Sequence, residues 1–227
     1  MALLAHITDT HLLGDPEGLL RGINPYSNLQ RVLEHVKQYQ PDLYLFTGDI
    51  AETGEAPAYE LFASLTAGLG KCMLPGNHDH PHWFGDPQVY ELGGWRLLLL
   101  SSVLATSRYG EGQLSPGSLA WLGQRLGESR QPTLIALHHP PVAVGVDWLD
   151  QMGLVNSEAF WQVVTPQVKL VVFGHIHHAF ATVYGGIPCY GTPSSHSQIR
   201  EPRDPGYRLI WLGAGGEYRT QVIWVRG

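Results

Sequence analysis

Lys169-Leu170-Val171-Val172-Phe173-Gly174-His175-Ile176-His177 runs an apolar stretch straight into two histidines. Uninterrupted Leu, Val and Phe read as a strand buried on both faces. Gly174 breaks the run, and His175 and His177 fall where the strand ends. The same construction recurs along the chain. Ala2 to Thr8 leads into Asp9-Thr10-His11, and Asp42 to Thr47 into Gly48-Asp49. Lys71 to Pro75 leads into Gly76-Asn77-His78-Asp79, and Pro132 to Leu137 into His138-His139-Pro140-Pro141. Clusters of Asp, Asn and His at five strand ends imply one polynuclear metal site assembled by the fold.

Helices are expected between these strands. Ser27-Asn28-Leu29-Gln30 is a capping-box pattern, and Leu29, Val32, Leu33 and Val36 follow it at helical spacing until Pro41. Pro57 suits a second helix start, with Leu61, Phe62, Leu65 and Leu69 on its apolar face. Ser115-Pro116 opens a third helix, to about Leu126, and Asn156-Ser157 can cap a fourth, to about Val164. Trp95 to Val103 reads as a central strand. Short strands near Ala179 to Tyr184, Ile187 to Gly191, Tyr207 to Leu212 and Tyr218 to Val225 complete the chain, with Gly213-Ala214-Gly215-Gly216 turning between the last two. Strand–helix alternation followed by a meander predicts an α/β fold with helices outside two facing sheets. One domain over residues 1–227 is expected. Ligands bind beyond the carboxyl ends of strands in such folds. The long loops from about Pro140 to Asn156 and from Thr192 to Pro205 flank that edge.

Composition narrows the function. A net charge of −6 with no Lys/Arg run argues against a nucleic-acid or acidic-membrane surface. No stretch approaches the roughly 18 apolar residues of a membrane span, and the N-terminus lacks the features of a signal peptide. Cys72 and Cys189 read as two isolated buried thiols, the usual state in a cytosolic protein. A cytoplasmic location is therefore expected.

A mixed Asp/Asn/His set without Cys points to Fe, Mn or Zn. Asp9, His11 and His177 divide naturally into one ion site, and Asn77, His138 and His175 into a second. Asp49 can bridge them through its two oxygens. A pair of divalent or trivalent ions about 3.5 Å apart can clamp a phosphate and lower the pKa of a shared water, which suits in-line attack on phosphorus. His138 with Pro140 and His139 with Pro141 both fit an H-x-P pattern; His138 ends the strand more directly.

In this order, D-x-H, G-D, G-N-H-D, H-x-P and G-H-x-H resemble the calcineurin-like metallophosphoesterases. The resemblance implies a four-layer α/β/β/α sandwich with a dinuclear centre held by Asp9, His11, Asp49, Asn77, His138, His175 and His177. It implies that His78 stabilises the transition state or protonates the leaving oxygen, with Asp79 orienting it. Ile7-Thr8-Asp9-Thr10-His11-Leu12, Leu20-Arg21-Gly22, Trp148-Leu149-Asp150-Gln151 and Gly191-Thr192-Pro193-Ser194 look like the bacterial class III 3′,5′-cyclic AMP phosphodiesterases. These hydrolyse the cyclic diester to the 5′-monophosphate, and a homodimer is common among them. Another small ester on the same site is the alternative: a 2′,3′-cyclic nucleotide, a glycerophosphodiester, a lipid pyrophosphate or a monoester. A non-catalytic scaffold of the same fold should have lost ligands, and here the whole set is present.

The remaining candidates carry less. His6 reads as a packed core residue, His35 as surface, and His80 and His82 as solvated loop. His196 is a candidate substrate contact. Trp148 could stack on a base or anchor its loop. Arg21 and Arg200 could meet phosphate or ribose, or simply be solvated.

Overall fold

The computed structural model describes residues 1–85, 87–199 and 204–226. In chain order the elements are β1 (Ala2–Ile7), α1 (Pro25–Lys37), β2 (Leu43–Thr47), α2 (Ala56–Leu65), β3 (Lys71–Leu74), β4 (Gln88–Leu92), β5 (Trp95–Leu99) and α3 (Pro116–Gly127). They continue with β6 (Thr133–Leu137), α4 (Asp147–Asp150), α5 (Ser157–Val163), β7 (Val168–Phe173), β8 (Phe180–Tyr184), β9 (Ile187–Gly191), β10 (Gly206–Leu212) and β11 (Tyr218–Trp224).

Two sheets face each other. One runs β11-β10-β1-β2-β3, the other β4-β5-β6-β7-β9-β8. β1-β2-β3 and β5-β6-β7-β9 are parallel; antiparallel strands flank the second set on both sides and the first on one, where β3 is itself the opposite edge. Side chains alternate along each strand, which sorts the apolar residues into three layers. Leu4, Leu45, Leu97, Leu134, Leu170 and Ile210 fill the space between the sheets. Ala5, Phe46 and Leu209 face outward onto α1 and α2. Ile135, Val171 and Phe173 face outward onto α3 and α5. The result is the four-layer α/β/β/α arrangement. Parallel pairing within each sheet puts the carboxyl ends of these strands at one edge.

Some boundaries differ from the sequence reading. α1 starts at Pro25, before the capping box, because Asn24 is the cap: its side chain accepts from Ser27 N at 2.7 Å. Asn followed by Pro at the first helical position is the stronger start signal. Asn156 does not cap α5. It pairs with the Leu114 backbone instead, accepting at 3.0 Å and donating at 2.8 Å. β5 is not central. It pairs with β4, a strand that the sequence hides, through a turn in which Gly93 and Gly94 both have positive φ. His35 is half-buried, its Nδ1 2.8 Å from the Tyr207 hydroxyl.

Polar residues interrupt the inter-sheet layer near the carboxyl ends of the parallel strands. His6 is buried between Thr47 Oγ1 and Thr192 Oγ1, each at 2.7 Å. Arg208, its register partner on β10, donates to Thr192, Thr220 and the carbonyls of Phe180 and Gly191. Its guanidinium lies 4.8 Å from the Tyr190 ring centroid and pairs with no carboxylate among the described residues. This network ties strands of both sheets together. Cys72 and Cys189 are both buried free thiols.

Burial first, then the Arg208 charge, lowers the His6 pKa from 6.5 to about 3. An unfolded chain protonates this ring near 6.5 and the folded chain does not, so below that pH the unfolded state binds the extra proton and stability falls with acid. His6→Gln is expected to flatten the unfolding free energy against pH between about pH 6 and about pH 4, by up to about 1.4 kcal/mol per pH unit. Equal slopes in chemical denaturation of variant and wild type would assign the acid sensitivity to other groups.

Candidate metal centre

Three of the strand ends, after β1, β2 and β7, deliver their residues through an unusual backbone. Asp9, His11, Asp49, His175 and His177 all have positive φ, between 46° and 68°. L-residues seldom adopt this conformation, and it costs on the order of 1 kcal/mol or more at each position. Cross-links between strand ends hold it. Asp9 N and His11 N donate to the carbonyls of Gly48 and Asp49, at 3.0 and 2.9 Å. His175 N donates to both Asp9 carboxylate oxygens, at 3.1 and 3.0 Å. Gly174 is required by this approach: a Cβ there would lie 2.8 Å from Asp9 Oδ2. Ser194 and Ser195, after β9, fasten the late loop onto Asp9 O and Thr8 O.

Two groups of donor atoms converge. In one, His177 Nε2 lies 3.1 Å from both Asp9 Oδ1 and His11 Nε2. In the other, Asn77 Oδ1 lies 3.1 Å from His138 Nε2 and 3.0 Å from His175 Nδ1, with the two nitrogens 3.2 Å apart. Asp49 Oδ2 faces both groups, 3.7 Å from His11 Nε2 and 3.4 Å from His138 Nε2. Its other oxygen accepts from His78 N at 2.9 Å.

The outer ring nitrogens fix what these atoms are. His11 Nδ1 lies 2.6 Å from Glu52 Oε2, His138 Nδ1 2.7 Å from Thr47 O, and His177 Nδ1 2.8 Å from Ser197 O. Those oxygens only accept, so each Nδ1 donates and each neutral ring turns a lone pair inward. Lone pairs and carboxylate oxygens thus face one another at contact distance, an arrangement that demands positive charge at its centre. Protons answer that demand in part. Burial lowers the His138 pKa, but Asp49 outweighs it and raises the ring to about 9. Burial pushes the Asp9 carboxyl up, yet His177 overrides this and holds it at about 2. Such a nitrogen–oxygen donor set without sulfur fits two hard or borderline cations.

All seven residues expected to hold metal are brought together. His139 clusters with His138 and His175, with a donor atom within 4.8 Å of theirs, but it turns no free nitrogen to them. Both its nitrogens are engaged, Nδ1 2.8 Å from Ser102 Oγ and Nε2 3.0 Å from Gly110 O, so the inward ring is that of His138. Asp79 does not orient His78, contrary to the expectation. Its carboxylate accepts from the backbone of Ile50, Ala51 and Gly76 and from the Tyr59 hydroxyl. His78 Nδ1 instead donates to the Glu52 carbonyl at 2.8 Å. Glu52 was not singled out from the sequence; an acid three residues beyond Asp49 is the only signal it leaves.

A cavity of about 960 Å³ opens over the donors. His78 lines it, as do Arg21, Trp148, Met152, Trp224 and His196. Trp148 is 47% exposed, so it stands at the rim rather than anchoring its loop in the core. His196 is buried, with Nδ1 2.9 Å from Ser197 Oγ and its ring 6.0 Å from that of His11. Among the described residues its Nε2 has no hydrogen-bond partner, although the Leu20 carbonyl is close. Arg200 lies outside the described residues.

His138→Ala is expected to bind about one ion per chain where wild type binds about two, read by elemental analysis after dialysis. His139→Ala should keep both ions and lose about 1–3 kcal/mol of stability, because Ser102 Oγ and Gly110 O lose their partner. The reverse pattern would make His139 the ligand.

Comparison with known proteins agrees with this geometry. The chain is 38% identical to a probable cyclic nucleotide phosphodiesterase of Synechococcus sp., over 98% of this chain and 92% of that one. It is also 38% identical to the 3′,5′-cyclic adenosine monophosphate phosphodiesterase of Vibrio vulnificus, over 96% and 88% of the two chains. A dimetal phosphatase from Danio rerio has the same fold, with a TM-score of 0.72 over 99% of both chains at 14% identity. Residues 2–179 match the calcineurin-like phosphoesterases, and with the paired donor groups at the strand ends this establishes that the chain belongs to the calcineurin-like phosphoesterase family.

Proposed function

We propose that this chain is a dinuclear phosphodiesterase that hydrolyses a 3′,5′-cyclic nucleotide, cyclic AMP foremost, to the 5′-monophosphate. The observation that carries the reading is Asp49 Oδ2 facing both donor groups, in a chain that aligns over nearly its full length with relatives named for this activity. In this reading Asp9, His11 and His177 would hold one ion and Asn77, His138 and His175 the other, with Asp49 available to both. The ions are drawn from Fe, Mn and Zn. Bound there, they would supply Lewis-acid charge to the phosphate oxygens and lower the pKa of water.

The chain's own residues do the rest. Protonated His78 keeps its Nδ1–H on the Glu52 carbonyl, which leaves Nε2–H to be given to the departing 3′ oxygen. Trp148 at the rim offers a ring face on which a base can stack. Arg21 lines the same cavity and offers a guanidinium to ribose or phosphate. Among the described residues no helix is long and apolar enough to cross a membrane, in keeping with a diffusible small-molecule substrate.

The test is to load the protein with Mn²⁺ and follow cyclic AMP by chromatography, with bis(4-nitrophenyl) phosphate alongside. Conversion to 5′-AMP is expected, with a loss of more than about a hundredfold in Asp49→Asn. His78→Ala should lower kcat by about a hundredfold or more while the ion content stays at the wild-type level. Hydrolysis of the aryl diester alone would move the substrate to another ester. Intact cyclic AMP and aryl diester together would sink the enzymatic reading.

A further inference from the structure

We propose that Trp224, Asp204 and Arg226 form a nucleobase subsite at one end of the cavity and that this subsite selects adenine. The inference rests on the cyclic nucleotide reading above and adds to it the groups that choose the base.

Trp148 and Trp224 both line the cavity, and they flank different donor groups. Trp148 goes with Met152, on the Asn77 side: a Cβ on Gly110 would lie 3.0 Å from Met152 Cε and 3.3 Å from Asn77 Nδ2. Trp224 belongs to the His177 side. It ends β11 opposite Gly206 in the ladder, and Gly206 N donates to Ser194 O at 3.0 Å. Ser197 O, in the same loop, accepts the outer N–H of His177. One loop therefore carries both the seat of Trp224 and a partner of a metal-type ring.

The seat is close. A Cβ on Gly206 would lie 2.9 Å from Trp224 Cε3 and 3.1 Å from Cζ3, so only a residue without one lets the indole settle here. A ring packed on the backbone in this way is in place before a ligand arrives, which lowers the ordering cost of binding. Nucleobases stack on such a ring whatever their sequence of polar atoms, so the choice among bases falls to the groups at its edge.

Those groups come from the next step of the ladder. Val225 N donates to Pro205 O at 2.8 Å, one residue beyond the Gly206–Trp224 pair. Continuing that register sets Asp204 across from Arg226. Both are exposed and line the cavity, and neither forms an ion pair among the described residues. The other acids of the cavity wall, Asp49 and Glu52, face histidines instead. A carboxylate only accepts hydrogen bonds and a guanidinium only donates them. Adenine presents the complement on adjacent positions, an N6 amino donor beside the N7 acceptor. Guanine and hypoxanthine carry an oxygen at position 6, which would turn an acceptor toward the carboxylate.

Titration calorimetry of the full-length, Mn²⁺-loaded protein with 5′-AMP and with 5′-IMP reads this subsite without any turnover. A failure to hydrolyse cyclic AMP would therefore leave the result standing. Wild type is expected to bind 5′-AMP about tenfold or more tightly than 5′-IMP, since the two differ at position 6 of the base. Asp204→Asn, whose amide both accepts and donates, should bring the two affinities to within about threefold of each other. Trp224→Ala should weaken 5′-AMP by about 5–100-fold, and Trp224→Phe, which keeps a ring, should fall between it and wild type. Bound Mn²⁺ at the wild-type level in each variant separates this loss from damage to the donor groups. Equal affinity of wild type for the two nucleotides would overturn the proposal. So would a larger loss of 5′-AMP affinity in Trp148→Ala than in Trp224→Ala, which would place the base at the other end of the cavity.

Discussion

Lone pairs and carboxylate oxygens held face to face at about 3 Å are the constraint on which the rest of this structure depends. Left alone, such donors repel, and a flexible chain would separate them. Here five of them hang from strand ends with left-handed backbone, at a combined cost comparable with the net stability of a whole domain. That conformation persists only because neighbouring segments over-determine it. Each strand end is tied to the next by hydrogen bonds that involve the same residues: Asp9 to Gly48, His11 to Asp49, His175 to Asp9. Displacing one donor therefore strains the backbone of another, and the pair of donor groups behaves as a unit.

The layers below serve that unit. Parallel strands set their carboxyl ends at one edge, but two separate sheets contribute, β1, β2 and β3 from one and β6 and β7 from the other. An apolar inter-sheet layer is non-directional and would tolerate small slips between them. The His6–Thr47–Thr192–Arg208 network is directional, and it lies just beneath Asp9. A buried guanidinium without a carboxylate is stabilised only if all its donors find acceptors, so its geometry is exacting. We read it as the element that fixes how the two sheets register under the site.

What the sequence made legible follows from the same physics. A strand buried on both faces needs an unbroken apolar run, so β1, β2, β6 and β7 stand out, and the polar residues that end them stand out by contrast. β4 has no such run. It is an edge strand whose alternate residues are exposed, and Gln88-Val89-Tyr90-Glu91-Leu92 carries too little apolar contrast to read as a strand. The metal-type residues could be named, because few other patterns place Asp, Asn and His at strand ends. The partners that orient them could not. Thr47 O and Ser197 O are backbone atoms, and any residue type supplies a carbonyl. Adjacency misled for Asp79: residues 78 and 79 are neighbours in sequence, yet their side chains leave the backbone in different directions and find different partners.

The role that Asp79 does play bears on the charge of the whole site. Its carboxylate gathers the backbone N–H groups of Ile50, Ala51 and Gly76 together with the Tyr59 hydroxyl, so it builds the junction between the Asp49 and Asn77 segments. Burial and then the nearby Asp49 push its carboxyl above the usual range, and the donors it collects oppose that rise. Asp9, Asp49, Glu52 and Asp79 thus crowd one corner, and among the described residues their ion-pair partners are histidines. An anionic phosphate would be repelled by such a corner in a chain of net charge −6. Two multivalent cations held by these donors would reverse the sign of the local field, and the same acids that would have excluded a phosphate would become the reason that it binds there.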